Sequence, residues 1–226
     1  MRNYLCSLLA FVSTIHLLGC STPATPPEDD GGTIGGCKLP YLGDPNAEMI
    51  MDVVAIGPNY KLKPVEDGSD VTLMFPPQGG RVLFAGVRAT NVNPCGVRLA
   101  GALRDTVSKS VQVDTRIINL QVAPDGYGQS DIGDIFTFAN IFACPNNWSD
   151  QDLMDVPYEL VVSLTDKDER KVTKTLMVTP RCNEPGQVSG CVCQCDSEYM
   201  LGMVCAGLPD AGAPDAAPEM PDASGD

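Results

Sequence analysis

Pro157-Tyr158-Glu159-Leu160-Val161-Val162-Ser163-Leu164-Thr165, the polar turn Asp166 to Arg170, and Lys171-Val172-Thr173-Lys174-Thr175-Leu176-Met177-Val178-Thr179-Pro180 form the clearest unit of the chain. Two β-branched runs of matching length about a charged turn make a hairpin. Outward from it the pattern repeats. From Cys37 to Cys182, short alternating or apolar runs are separated by Gly, Pro, Asn and Asp, the signature of an antiparallel β domain. Strands are expected over 49–57, 70–75, 81–90, 97–105, 110–122, 135–142, 158–165 and 171–179, and no stretch carries a helical period. In 81–90, Val82, Phe84 and Gly86 alternate with Leu83, Ala85 and Val87, apolar on both faces as in a central strand. In 97–105, Arg98, Ala100, Ala102 and Arg104 alternate with Val97, Leu99, Gly101 and Leu103, giving one apolar and one partly polar face. Eight strands between residues 37 and 181 fit one sandwich rather than two domains.

The hairpin's wording, Tyr158-x-Leu160-x-Val162 before Asp166, a charged turn and then a Thr/Val strand, resembles the final hairpin of bacterial immunoglobulin-like and fibronectin-III-like domains. The resemblance implies an all-β fold, an immunoglobulin-like antiparallel β-sandwich over 37–181, with a small disulfide-rich C-terminal segment behind it.

The N-terminus reads differently. After Arg2, residues 5–18 form an apolar run shorter than the roughly 20 residues a membrane span needs, as in a secretory signal. It closes on Leu17-Leu18-Gly19-Cys20, which resembles the lipobox of a bacterial lipoprotein precursor. The resemblance implies that 1–19 is a signal peptide and that Cys20 becomes a lipidated N-terminus carrying palmitate-type chains. Ser21 rather than Asp follows it, which in that family implies the outer membrane, on its periplasmic face or at the cell surface. Two or three acyl chains, at about 0.8 kcal/mol per buried methylene, make a durable anchor. Residues 20–36 then read as lipidated end and tether, because 21–36 is Pro- and Gly-rich with almost no apolar content.

Composition narrows the chemistry. The single histidine, His16, lies inside the signal, so a mature chain has no imidazole for Ser-His-Asp or Cys-His catalysis or for a metal site. The formal charge of −14 becomes −15 once Arg2 is lost with the signal (−14 − 1). Such a surface repels phosphate, which argues against nucleic-acid binding. No Gly-rich phosphate loop and no CxxC redox pair occurs, and no cofactor is called for.

Apart from Cys6 and Cys20, eight cysteines remain: Cys37, Cys95, Cys144, Cys182, Cys191, Cys193, Cys195 and Cys205. An even number in an exported chain reads as four disulfides, among 105 possible pairings; four-thiolate zinc is the competing use. Three lie in the β region and five at its end, so an odd number of bridges must link the groups. Cys95 with Cys144, each beside turn residues, and Cys37 with Cys182, at the ends of the sandwich, are the expected pairs. A bridge between cysteines two apart in extended chain is strained, and pairing Cys191 with Cys195 and Cys193 with Cys205 avoids both such pairs. The run Cys193-Gln-Cys195-Asp-Ser-Glu-Tyr199-Met-Leu-Gly202-Met-Val-Cys205 also resembles the last third of an EGF-like module, which makes 182–205 an EGF-like half-module and implies Cys195 with Cys205 instead. Residues 206–226 carry five acids and no base among Pro, Ala and Gly, the composition of a disordered tail.

Two acid-rich loops, with Asp125, Asp131 and Asp134 in one and Asp150, Asp152 and Asp155 in the other, offer oxygen ligands of the kind Ca²⁺ takes; solvated turn aspartates are the alternative. Trp148 is either an exposed recognition anchor or a loop tryptophan tucked onto the sandwich end. The chain therefore reads as a membrane-anchored envelope lipoprotein, a non-catalytic binding or structural module with an envelope protein or glycan partner. The alternatives are a carboxylate-based enzyme on polysaccharide and a subunit of an envelope assembly that pairs through a bare sheet edge.

Overall fold

The computed structural model of the chain describes residues 36–205; the signal, Cys20, most of the tether and the acidic tail lie outside the described residues. The strands in chain order are β1 (Ile50–Ile56), β2 (Leu62–Pro64), β3 (Ser69–Thr72), β4 (Arg81–Thr90), β5 (Val97–Asp105), β6 (Val111–Ile118), β7 (Gln121–Val122), β8 (Gly128–Gln129), β9 (Ala139–Cys144), β10 (Tyr158–Thr165) and β11 (Lys171–Arg181), followed by one helix, α1 (Val188–Cys195). They build two sheets, one of six strands in the order β2-β1-β4-β8-β7 with β9 also on β4, and one of five in the order β3-β11-β10-β5-β6. All pairs are antiparallel except β3 with β11. The fold is thus the expected all-β sandwich.

The sheets close on each other through their inward faces. Met51, Val53, Leu83 and Val87 come from the six-stranded sheet, and Leu99, Leu103, Leu160, Val162 and Leu164 from the other, each at most 2 % exposed. Burial of side chains of this size stabilises by about 1.5–3 kcal/mol each. Gly101 allows a close approach of the sheets, since a Cβ there would lie 2.8 Å from that of Ala139. β4 is a central strand, as its two apolar faces require: Arg81–Ala85 pair with β9, Arg88 and Ala89 with β8, and Ile50–Ala55 of β1 lie along its other edge.

Some expected elements change at their boundaries. The run over 110–122 breaks at Leu120, whose amide donates to Pro94 O at 2.8 Å as the chain leaves the five-stranded sheet for the other. Residues Ile135–Thr137 form a 3₁₀ turn, with Asp134 accepting from Phe136 N at 3.0 Å, so that strand starts only at Ala139. α1 corrects the expectation of no helix. Its Cys-x-Cys-x-Cys spacing reads as extended chain, and eight residues are too few to hold a helix unaided; tertiary cross-links override the local pattern.

Those cross-links are Cys37–Cys95, Cys144–Cys195, Cys182–Cys191 and Cys193–Cys205. One bridge joins the β cysteines to the C-terminal group, an odd number as parity demands. Cys193–Cys205 is as expected, and the other pairings are corrected. Cys144 lies opposite Arg81 at the start of β4, whereas Cys95 follows its far end. Ten residues at about 3.3 Å each separate the two ends by roughly 30 Å, so Cys95 cannot reach Cys144. Leu42 pairs with Val92 instead, which brings the chain at Cys37 alongside Cys95. Cys37 therefore does not meet Cys182, which follows β11 at the Cys144 end. On a helix, Cys191 and Cys195 share one face and Cys193 the opposite one. Cys191 and Cys195 each reach across to the sandwich rather than to each other, and the Cys195–Cys205 pairing implied by the EGF-like resemblance is not formed.

Candidate functional site

The outer face of the six-stranded sheet is half covered. Ile56, Phe84 and Phe138 form a small second core there with Met74 and Val82. Gly86 permits it, since a Cβ at that position would lie 2.7 Å from the Phe138 ring and from Ser130 Oγ. Beyond Phe138 the face opens into a groove made of two adjoining hollows of about 420 Å³ each, which share Val54, Pro64 and Arg88. β1 supplies Val54 and Asp52, β2 supplies Leu62 and Pro64, and segment 123–129 forms the far wall.

Arg88 stands at the centre. It lies opposite Asp52 in the β1–β4 register, its guanidinium pairs with Asp125 and stacks 4.5 Å from the Tyr127 ring centre. Asp125 and Tyr127 thus fix the planar cation over an apolar floor. Lys174 Nζ, 2.9 Å from Asp52 Oδ1, closes the other end beside Glu66 and Asp67. The arrangement suits a ligand with an apolar body and an acceptor group placed over Arg88. Sequence reasoning missed this cation, although a charged residue inside the apolar run of β4 is a signal that a partner must meet it.

The aspartates expected to hold Ca²⁺ are dispersed. Asp125 pairs with Arg88 and Asp155 with Arg181. Asp131 Oδ1 accepts from Gly133 N at 2.9 Å, and Asp134 caps the 3₁₀ turn. Asp150 and Asp152 line a separate hollow with Asn146, Ser149 and Gln151. Among the described residues no three of these carboxylates converge on one point. Trp148 takes the second of its two roles: half-buried, it donates from Nε1 to Ala143 O at 3.2 Å and packs 5.8 Å from the Tyr158 ring.

Beside Trp148 lies a buried anion. Asp105, fully buried, accepts from Ser149 Oγ at 2.6 Å, Val107 N at 2.7 Å, Ser108 Oγ at 2.9 Å, Asp150 N at 3.1 Å and Gln151 Nε2 at 2.9 Å. Burial opposes its ionisation, but the donors, Ser149 foremost, outweigh burial and hold the carboxyl well below the usual range. Ser149 Oγ also meets Tyr158 OH at 2.7 Å. Burial, the larger influence, and the Asp105 charge raise that phenol to about 12 against the hydrogen bonds from its neighbours. This network joins the β5–β6 turn to loop 146–152.

A second buried network secures α1. Arg81, with no exposed surface, donates from Nε to Gln194 Oε1 at 2.9 Å, lies 3.6 Å from Glu184 Oε2, and sits 4.8 Å over the Phe75 ring. Glu184, 2 % exposed, accepts from Tyr60 OH at 2.5 Å and Phe75 N at 2.7 Å. Burial pushes the guanidinium down from its ordinary range and Glu184 pushes it back up. Comparison with protein-family models, with curated proteins and with solved structures finds no match.

Proposed function

We propose that the protein is a lipid-anchored module of a bacterial outer membrane, non-catalytic, which binds a glycan or an envelope protein in the groove over Val54, Pro64 and Arg88. The groove carries the binding part of this reading: an apolar floor with one cation held in place by Asp125 and Tyr127 is a recognition surface without need of a cofactor. Leu17-Leu18-Gly19-Cys20 supports the anchor, and the Pro- and Gly-rich stretch after it supplies a reach of up to about 50 Å from the lipid surface.

Two experiments test the two parts. Palmitate labelling is expected in the native chain and absent from Cys20→Ser; labelling that persists refutes the anchor. A photocrosslinking residue at Glu66, on the groove, is expected to give adducts in the native envelope that Val54→Trp abolishes. The same residue at Val113, 58 % exposed on the other sheet, gives none. Equal adducts at both positions refute the groove as the binding face.

A further inference from the structure

The sulfurs at the Cys144 end are closer than two independent bridges require. Cys191 Sγ lies 3.9 Å from Cys195 Sγ, and with Cys182 Sγ the three lie within 4.8 Å of one another, while Cys195 is itself bonded to Cys144. Three sulfurs, from the residue after β11 and one face of α1, therefore lie together, and the Cys144 sulfur at the end of β9 is joined to them through its bond to Cys195. We propose that Cys144, Cys182, Cys191 and Cys195 form a four-thiolate zinc site whenever their two disulfides are open.

The geometry supports this in three ways. A tetrahedral zinc with Zn–S bonds of about 2.3 Å needs sulfurs roughly 3.8 Å apart, and the non-bonded Cys191–Cys195 pair already has that spacing. Opening each bridge by about 2 Å brings its own two sulfurs to the same spacing. The surroundings fit a closed structural site: Cys144, Cys191 and Cys195 have no exposed surface, and half-buried Cys182 supplies the way in. A charge partner is also present. Arg81 is the cross-strand neighbour of Cys144, it bonds Gln194 next to Cys195, and its buried Nη1 has no hydrogen-bond partner. A cation one cross-strand step from Cys144, paired with Glu184 at 3.6 Å, partly offsets the net charge of −2 that four thiolates around one dication carry.

The chemistry balances without an outside reductant in a chain that has not yet formed its bridges. Zn²⁺ binds four thiols and releases four protons. An envelope oxidant that later removes four electrons from the bound thiolates leaves two disulfides and frees Zn²⁺. In a folded, oxidised chain a phosphine does the reverse, reducing each bridge to two thiols and leaving as the phosphine oxide with oxygen from water. Among the described residues the other two bridges have no such neighbours. Cys193 lies on the opposite face of α1 and pairs with Cys205, and Cys37–Cys95 is at the far end of the sandwich.

The test uses the full chain carrying Cys6→Ser and Cys20→Ser, reduced with a phosphine without oxygen and then alkylated with and without Zn²⁺. Mass spectrometry reads each cysteine separately. Expected is slower alkylation of Cys144, Cys182, Cys191 and Cys195 with one zinc bound per chain, and unchanged alkylation of Cys37, Cys95, Cys193 and Cys205. Losing a second-shell contact costs 10–100-fold in affinity, so removing two ligands in Cys191→Ser/Cys195→Ser is expected to weaken binding by at least about 100-fold. Cys193→Ser/Cys205→Ser is expected to bind as before. Protection of no cysteine, protection of a different set, or full binding by Cys191→Ser/Cys195→Ser overturns the proposal.

Discussion

At the Cys95 end of the sandwich, Arg170 reaches from the β10–β11 turn to Asp166 at 2.6 Å, to Tyr41 and to Asn91 O at 3.0 Å, and one bridge, Cys37–Cys95, holds the N-terminal segment. At the Cys144 end, Arg81 meets Glu184 and Gln194, and three bridges hold α1 and its flanks. Both ends use an arginine on a carboxylate, but the Arg170 side chain is 30 % exposed and that of Arg81 not at all. The difference follows from what each end must hold. Segment 37–46 pairs with the sandwich through Leu42 and Val92, so a solvated ion pair and one bridge suffice. An eight-residue helix has no stability of its own and must be fixed by covalent bonds and buried charge.

Opening one bridge at each end is the strongest way to break this comparison. With sequence separations of 51 and 58, Cys144→Ala/Cys195→Ala and Cys37→Ala/Cys95→Ala each lose about 4 kcal/mol on chain entropy alone. The first is expected to lose about 1 kcal/mol more, because α1 detaches and the Arg81–Gln194 bond goes with it. Urea midpoints measure both, and hydrogen exchange at Cys191 N, bonded to Gln187 O at 2.9 Å, reports α1 directly. Equal losses with α1 still protected would mean that the covalent link does not hold the helix.

Arg81→Met comes next. It leaves Glu184 buried with Tyr60 and Phe75 N as its remaining donors, and removal of one partner of a buried pair costs about 3–5 kcal/mol. Adding Glu184→Met is expected to recover part of that loss. A double variant as unstable as the sum of the singles would show that the two charges do not depend on each other.

How far this contrast was legible in the sequence differs between sheets and ends. The hairpin of β10 and β11 and the two-faced β4 were readable because alternation reports directly which faces are buried. α1 was not, since Cys191-Val192-Cys193-Gln194-Cys195 alternates as a strand does and becomes helical only because Cys144 and Cys182 hold two of its sulfurs. Parity fixed that the cysteine groups are linked, but pairing depends on which end of β4 each cysteine occupies, and that is a property of topology. The groove was hidden for a related reason: Arg88, Asp125 and Tyr127 meet only once segment 123–129 folds back beside β4. Asp105 gave a weak signal, an acid closing an apolar strand before a turn, but its partner Ser149 lies 44 residues away.

Asp105 adds a second buried charge to the Cys144 end, and its effect depends on pH. Its carboxyl ionises more readily in the folded chain, so the unfolded chain takes up that proton first, at about pH 3.9. The contribution is therefore complete above that pH and is lost as pH falls towards the folded-state value. Asp105→Asn is expected to cost about 2 kcal/mol at pH 7 through weakened bonds from Ser149, Val107 N and Asp150 N. Between pH 4 and pH 2 its stability is expected to approach that of the native chain. A gap that stays constant down to pH 2 would show that the carboxylate charge is not its source.

The smallest effect tests whether exposure is what separates the two arginines. Arg170→Met removes an ion pair that water and salt can reach, so a loss of about 1 kcal/mol or less is expected. Asp166, whose side chain is fully buried, keeps its bonds from Asp168 N and Arg170 N, both at 3.0 Å, and is not left bare as Glu184 would be. Raising salt to 1 M shortens the screening length to about 3 Å and is expected to erase most of the Arg170 effect while leaving that of Arg81→Met intact. Denaturant midpoints of both variants at low and high salt decide the matter. If salt weakens the two effects equally, burial does not distinguish the ends, and the number of disulfides alone accounts for the difference.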